Sequence, residues 1–263
     1  DQLARIMSVL MALGGLAPMV APVAGALVIT VATWREVFWT LAGFAALMVV
    51  TATLFIRETL PVERRHGGGL RQSVAGIGEV VRNRTFMGYV LTANFCAFTM
   101  MGYIANSSYV LQVSKGMAPF AFSLFFASTA LSQVLLSIVN ARLVGRVSPN
   151  RLIGVGISMS TVAVVVLTIG VFAWNTPLVL TCAGFLVIMA SQAFVFGNAS
   201  ALASMRVTHV AGAAAAVQGV ANSVAMAVSA PLASSGGGTT AVPMILVMLF
   251  GILGALACYI LLT

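Results

Sequence analysis

Charge is what this sequence has least of. Of its 263 residues, 7% are charged and only five are acidic, against about 25% charged in a soluble domain. None of the long apolar stretches contains an Asp, Glu, Lys or Arg. No G-x-S-x-G, H-E-x-x-H or P-loop pattern occurs, so hydrolytic and phosphoryl chemistry have no residues to stand on, and neither catalytic residues nor a metal or cofactor site are expected. Cysteine is also scarce. Cys96, Cys182 and Cys258 all fall inside apolar runs and read as packing residues, not as a disulfide framework or metal ligands. A signal peptide is missing, and the chain opens Asp1-Gln2-Leu3 without methionine, which reads as a segment of a longer protein.

What fills the space is hydrocarbon: 60% of residues are hydrophobic and the mean hydropathy is +1.08. Uncharged runs of about 20 residues are the length needed to cross a bilayer. Eight spans are predicted, near 6–30, 37–57, 86–112, 118–141, 152–173, 177–204, 210–233 and 241–262. Trp174-Asn175-Thr176-Pro177 and the run Ser234 to Thr240 divide the two longest stretches. The fold class is therefore all-α, a polytopic membrane protein.

The net charge of +8 is a topological signal and does not point to nucleic acid. Counted on alternate sides of the eight spans, 11 of the 13 cations share one side: Arg5, Arg57, Arg64, Arg65, Arg71, Arg82, Arg84, Arg142, Arg146, Arg151 and Arg206. Arg35 and Lys115 hold the other. Positive residues stay in the cytoplasm, which predicts a cytoplasmic location for both ends of the segment and for the basic loop of Arg142, Arg146 and Arg151.

The one long loop suggests the division of the chain. Residues 1–57 hold two spans, 58–85 form a cytoplasmic connection, and 86–263 hold six spans. Within the connection, Leu70, Val74, Ile77 and Val81 recur at helical spacing, which predicts an amphipathic helix on the cytoplasmic membrane face. His66, beside arginines and glycines, reads as a solvated loop residue.

The stretch Leu16 to Gly25 is a packing motif. Pro18 and Pro22 lie on one face of a helix and would bend it, which a membrane helix tolerates. Ala17, Ala21 and Gly25 repeat at four-residue spacing and let a second helix approach closely. Gly25 is expected to be its least replaceable residue, and Gly170, near a span end, is expected to tolerate a larger side chain.

Neutral polar residues form stripes inside the spans. Asn94, Phe98 and Met101 share a face with Ser108 and Gln112, and Tyr103 lies on a second face with Thr92, Cys96, Thr99 and Asn106. Thr129, Gln133, Ser137 and Asn140 align. Gln192 and Phe196 align, with Ser191 and Asn198 beside them. Gln218 and Asn222 align, on a helix thinned by Gly212, Ala216 and Gly219. Amides are costly against lipid and should face the bundle interior or a cavity. For any one residue, interhelical hydrogen bonding competes with ligand contact. The set Asn94, Phe98, Met101, Tyr103, Gln133, Gln192, Phe196, Asn198, Gln218 and Asn222 is the candidate lining of a cavity for an amphipathic molecule.

These residues sit in sequences with a family likeness. Arg5-Ile6-Met7-Ser8, the Leu16–Gly25 stretch and Thr33-Trp34-Arg35-Glu36-Val37-Phe38-Trp39 resemble the fifth helix, and the turn after it, of the bicyclomycin-resistance (Bcr/CflA) drug:proton antiporters of the major facilitator superfamily. Glu58-Thr59-Leu60-Pro61, Gly88-Tyr89-Val90-Leu91, Gly102-Tyr103-Ile104-Ala105, Tyr109-Val110-Leu111-Gln112, Gly197-Asn198-Ala199-Ser200-Ala201-Leu202 and Ala211-Gly212-Ala213 resemble later helices of that family. The resemblance implies a twelve-helix fold of two six-helix bundles, of which this chain holds helices five to twelve. Two departures stand out. Ala21-Pro22 and Gly25-Ala26 replace glycine-containing pairs, and Gly145 stands where an acid is expected in the loop from Ala141 to Arg146. The acidic coupling residue implied by the family belongs to the four helices not in this chain.

The resemblance implies an exporter of small amphipathic drugs, working by proton-coupled alternating access in the bacterial inner membrane. Its partners would be the lipid bilayer, an amphipathic small molecule, protons and the four missing helices. A carrier of a metabolite such as a sugar or nucleoside remains open, as does a scaffold or receptor that transports nothing.

Overall fold

The computed structural model describes residues 33–55, 70–173, 177–236 and 240–263. The first expected span and its motif Ala17, Pro18, Ala21, Pro22 and Gly25 lie outside these residues. Seven helices among the described residues are long and apolar enough to cross a membrane, and the described residues contain no strand. The chain is an all-α, polytopic membrane protein.

The structure divides between Gly68 and Gly69. In the first unit, α1 runs Trp34–Phe55. Glu36 accepts a hydrogen bond from the Thr33 N–H at 2.9 Å, the reciprocal half of a capping box, which explains why Thr-x-x-Glu stands where the helix starts. Phe38, Trp39, Phe44 and Phe55 of α1 are exposed, as suits a helix with lipid beside it.

The second unit opens with the amphipathic helix α2, Leu70–Arg82. It clusters in one compact unit with the helices that follow it. Asn83 accepts from the Phe86 N–H at 3.0 Å and caps α3, Arg84–Ser108. A π-helical turn, Tyr109–Ser114, prolongs α3. Next come α4 (Pro119–Leu143), α5 (Pro149–Ala173) and α6 (Leu178–Met205). After the short turn Thr208–Val210 come α7 (Ala211–Ala233) and α8 (Val242–Leu262). Proline begins α4 and α5, where its missing N–H costs nothing. Gly145 ends the turn after α4 with φ of +100°. An acid there would be strained, a local reason for glycine at that place.

Helix α3 packs on α6, α7 and α8, helix α6 packs on α3, α4 and α5, and α5 meets α8. These pairings are unchanged when α3, α4 and α5 are exchanged for α6, α7 and α8. Three crossings per repeat reverse the direction of the second, giving an inverted repeat. Among the six spans of this unit, α3 and α6 form the centre, and α4 and α7 are the least buried.

Lipid supplies no hydrophobic drive between helices, so close packing must hold them together. A Cβ on Gly251 of α8 would lie 2.9 Å from the Phe95 carbonyl oxygen of α3, and one on Gly254 would lie 2.7 Å from the Phe95 ring. A Cβ on Gly156 of α5 would lie 2.8 Å from the Ser191 carbonyl oxygen of α6. Gly170 is buried as well, because α5 turns that face inward up to its end. Its expected tolerance is not what this position suggests. Hydroxyls mostly bond to their own helix, as Thr92 does to the Gly88 carbonyl and Thr168 to that of Val164. Ser229 of α7 donates across to the Phe98 carbonyl at 2.7 Å, and Thr99 to that of Met248 at 3.2 Å.

Candidate substrate cleft

Where α3, α6 and α7 meet, the packing stops short of closing. A cleft of about 410 Å³ is lined by Tyr89, Val90, Ala93, Asn94 and Met100 of α3, by Phe196, Ala199 and Ser200 of α6, and by Gln218, Gly219, Asn222 and Met226 of α7. It opens because α7 is thin there. No atom lies within 4 Å of where a Cβ on Gly219 would stand. In this helix glycine makes room instead of drawing two backbones together.

The polar groups of the cleft are all neutral. Gln218 spans α6 and α7: its Oε1 accepts from the Ser200 hydroxyl at 2.9 Å, and its Nε2 donates to Ser204 Oγ at 3.3 Å. Asn94 donates to the Val90 carbonyl of its own helix at 2.7 Å. Asn222 is exposed to the cleft. At one end, Tyr89 donates to Asn150 Oδ1 at 3.3 Å, while Tyr259 of α8 donates to the Asn150 carbonyl at 2.9 Å. This clasp fixes the Tyr89 ring as a wall. The arrangement can hold a molecule that is mostly apolar and carries a few hydrogen-bonding groups.

Four of the ten candidate lining residues come together here: Asn94, Phe196, Gln218 and Asn222. The other six do not line this cleft. Phe98 packs edge-on against Phe250 with ring centres 5.8 Å apart. Met101 and Gln133 are half-buried outside the cleft. Tyr103 is fully buried between Phe126 and Phe185, with its hydroxyl 3.2 Å from Thr129 Oγ1. Asn198 donates to Asn140 Oδ1 of α4 at 2.8 Å and to the Phe194 carbonyl, which is interhelical bonding. The physical reason is common to them. Helical phase tells which residues share a face, and a buried face can meet either a neighbour or a void. Arg142, Arg146 and Arg151 are exposed around the α4–α5 turn, away from the cleft lining.

Gln192 stands apart. It is fully buried, and neither its Nε2 nor its Oε1 has a hydrogen-bond partner. An unsatisfied buried polar group costs about 1–3 kcal/mol. Gln192→Leu is thus expected to raise the melting temperature of the purified protein by about 2–4 °C per kcal/mol recovered, read by a thermal melt in detergent.

Tyr89, Met100, Ser200, Gly219 and Met226 are cleft residues that the stripes did not name as lining. Extending two stripes by one turn finds two of them, since Ser200 is four residues past Phe196 and Met226 four past Asn222. Tyr89, Ala93 and Met100 form a row whose mixed small and apolar character carries no signal.

The Major Facilitator Superfamily model matches residues 1–230, and the chain belongs to that family. The chain is 30% identical over 261 residues to the MFS-type transporter YdgK of Bacillus subtilis (strain 168), covering 98% of this chain and 64% of the relative. It is 24% identical over 255 residues to the bicyclomycin resistance protein homolog of Haemophilus influenzae, covering 94% and 62%. It is 27% identical over 219 residues to the multidrug resistance protein MdtL of Klebsiella pneumoniae subsp. pneumoniae, covering 83% and 54%. The chain thus spans less than two thirds of the length of each of these relatives.

Proposed function

We propose that this chain forms part of a proton-coupled exporter of small amphipathic drugs, of the Bcr/CflA type, that works by alternating access in a bacterial inner membrane. The observation that carries the reading is the neutral cleft at the meeting of α3, α6 and α7. Its amides and hydroxyls are few and its walls are mainly Val90, Ala93, Met100, Phe196, Ala199 and Met226. That balance suits a drug-like amphiphile better than a sugar, which would need more polar partners. A scaffold would have no use for such an opening. The names of the Haemophilus and Klebsiella relatives point the same way.

Residues 86–263 contain no Asp or Glu, so the carboxylate that carries the coupling proton lies outside this bundle. The bundle supplies the substrate's hydrogen bonds, and the four-helix remainder of the first bundle supplies the proton site. Both ends of the chain face the cytoplasm in this reading. In support, Arg84 donates to the Leu261 carbonyl at 2.8 Å, so the start of α3 and the end of α8 share the arginine-rich end of the unit. Lys115 lies beyond the opposite end of α3.

Alanine at Asn94 or Asn222 in the full-length protein tests the reading. Each removes a hydrogen-bonding group worth about 1 kcal/mol, which is roughly fivefold in apparent affinity. The expected result is a changed ranking of exported compounds with unchanged membrane abundance. Efflux profiles identical to the parent across a panel of amphipathic drugs would sink it.

A further inference from the structure

We infer that the outer face of α2 docks on the anionic lipids of the cytoplasmic leaflet, with its apolar row against acyl chains and the arginines at its end against headgroups, and that α2 is thereby a lipid-held brace on α7.

Helix α2 has two apolar faces, and only one of them is packed on the bundle. On the inner face Val80 is fully buried. A Cβ on Gly76 would lie 3.5 Å from Ala213 Cβ and 3.9 Å from Val210. Glu79 Oε1 lies 2.5 Å from His209 Nε2 across this contact. On the outer face Val74, Ile77 and Val81 are 66%, 39% and 48% exposed. Steps of three and four residues bring these three side chains into one row, so their exposure is a continuous strip and not scattered positions.

The strip lies at the level of the bilayer interface. Asn83 alone separates α2 from α3, whose first buried side chain is Phe86. The inner face rests on Val210 and Ala213, where α7 begins. Both attachments are points where apolar helices start. With 13 residues, α2 is about 20 Å long, too short to cross the membrane. A helix of this length at this level lies in the interfacial plane with its apolar row toward the acyl chains.

Charge selects the lipid. Arg82 and Arg84 are exposed at the end of α2, and Arg142, Arg146, Arg151 and Arg206 are exposed at helix ends and turns of the bundle. Glu79 is bonded to His209. A second copy of so basic a surface would be repelled, whereas phosphate headgroups are attracted, at about fivefold in local occupancy per arginine near an anionic surface. Because the inner face grips the first turns of α7, the helix that carries Gln218, Gly219 and Asn222, lipid charge acts on the helix that walls the cleft. This holds whatever the cleft carries.

The test uses the full-length protein with Cys96, Cys182 and Cys258 replaced and a fluorophore on Ile77→Cys. It is reconstituted in vesicles of phosphatidylcholine and phosphatidylglycerol at equal mole fraction, with brominated acyl chains on one lipid at a time. A fluorophore on Phe250→Cys, on the exposed side of α8, serves as control. The expected result is quenching at position 77 that is several-fold stronger from brominated phosphatidylglycerol, equal quenching by both lipids at position 250, and loss of the preference at 77 with Arg82→Gln. Quenching by aqueous iodide but not by lipid, protection from both, equal quenching by the two lipids, or a preference that survives Arg82→Gln would each overturn the proposal.

Discussion

Gly251→Leu is expected to stop the protein from accumulating in the membrane, and Gly251→Ala to lower its melting temperature by roughly 2–12 °C. The Cβ alone would stand 2.9 Å from the Phe95 carbonyl oxygen and 3.0 Å from the Thr99 nitrogen. Both are backbone atoms of α3, which cannot rotate away as a side-chain tip can. The helices would have to part. Parting them loosens the hydrogen bond from Thr99 to the Met248 carbonyl and the ring contact of Phe95 with Phe250, whose centres are 5.8 Å apart. Overpacking costs about 1–3 kcal/mol, at about 2–4 °C per kcal/mol for a unit of this size. Gly212→Leu is the control, since no atom lies within 4 Å of its Cβ position. Immunoblots of membranes and thermal melts of purified protein would read both. A Gly251→Leu protein with wild-type abundance and melting would show that α3 and α8 are not held by this contact.

The contrast between these glycines marks what could be read from the sequence. Element positions were legible throughout the described residues, because the uncharged runs between arginines, the two longest divided by Trp174 to Pro177 and by Ser234 to Thr240, are cut to the length of a bilayer. The helix 70–82 was legible from Leu70, Val74, Ile77 and Val81, although its attachment to α7 through Gly76 and His209 was not. No local pattern announces a contact made 130 residues away. Glycine spacing also left the packing unread. Gly212, Ala216 and Gly219 suggested a thin helix, and the structure makes the space at Gly219 a cleft wall. Gly156, Gly251 and Gly254 carry the close crossings. Whether a small residue faces a backbone or a void depends on the partner helix.

The polar residues divide in the same way. Asn94 and Asn222 reach the cleft, yet Asn198 and Asn140 satisfy each other, and Tyr103 finds Thr129. These pairs join stripes on different helices, and an amide costly to expose to lipid is equally content with a partner or with water. The loop glycine was legible only as a departure from a family pattern. Its φ of +100° at Gly145 supplies the reason that composition could not.

Gly219→Leu is expected to leave the protein abundant and abolish export of bulky compounds. The position is open, so a leucine meets no backbone. It also replaces glycine in a helix interior, a gain of roughly 1 kcal/mol in helix propensity. Folding should therefore be unharmed or improved, opposite to the effect at Gly251. The added side chain projects instead into the cleft of about 410 Å³, beside Asn94, Phe196 and Asn222. A molecule that fills this space must then be displaced or compressed. That penalty, about 1–3 kcal/mol, corresponds to roughly 5- to 150-fold in binding. It should grow with the size of the compound and be small for Gly219→Ala. Efflux of a size-graded series of amphipathic compounds, normalised to membrane abundance, measures it in the full-length protein. A Gly219→Leu protein that exports the largest compounds as well as the parent would place the substrate path away from α7.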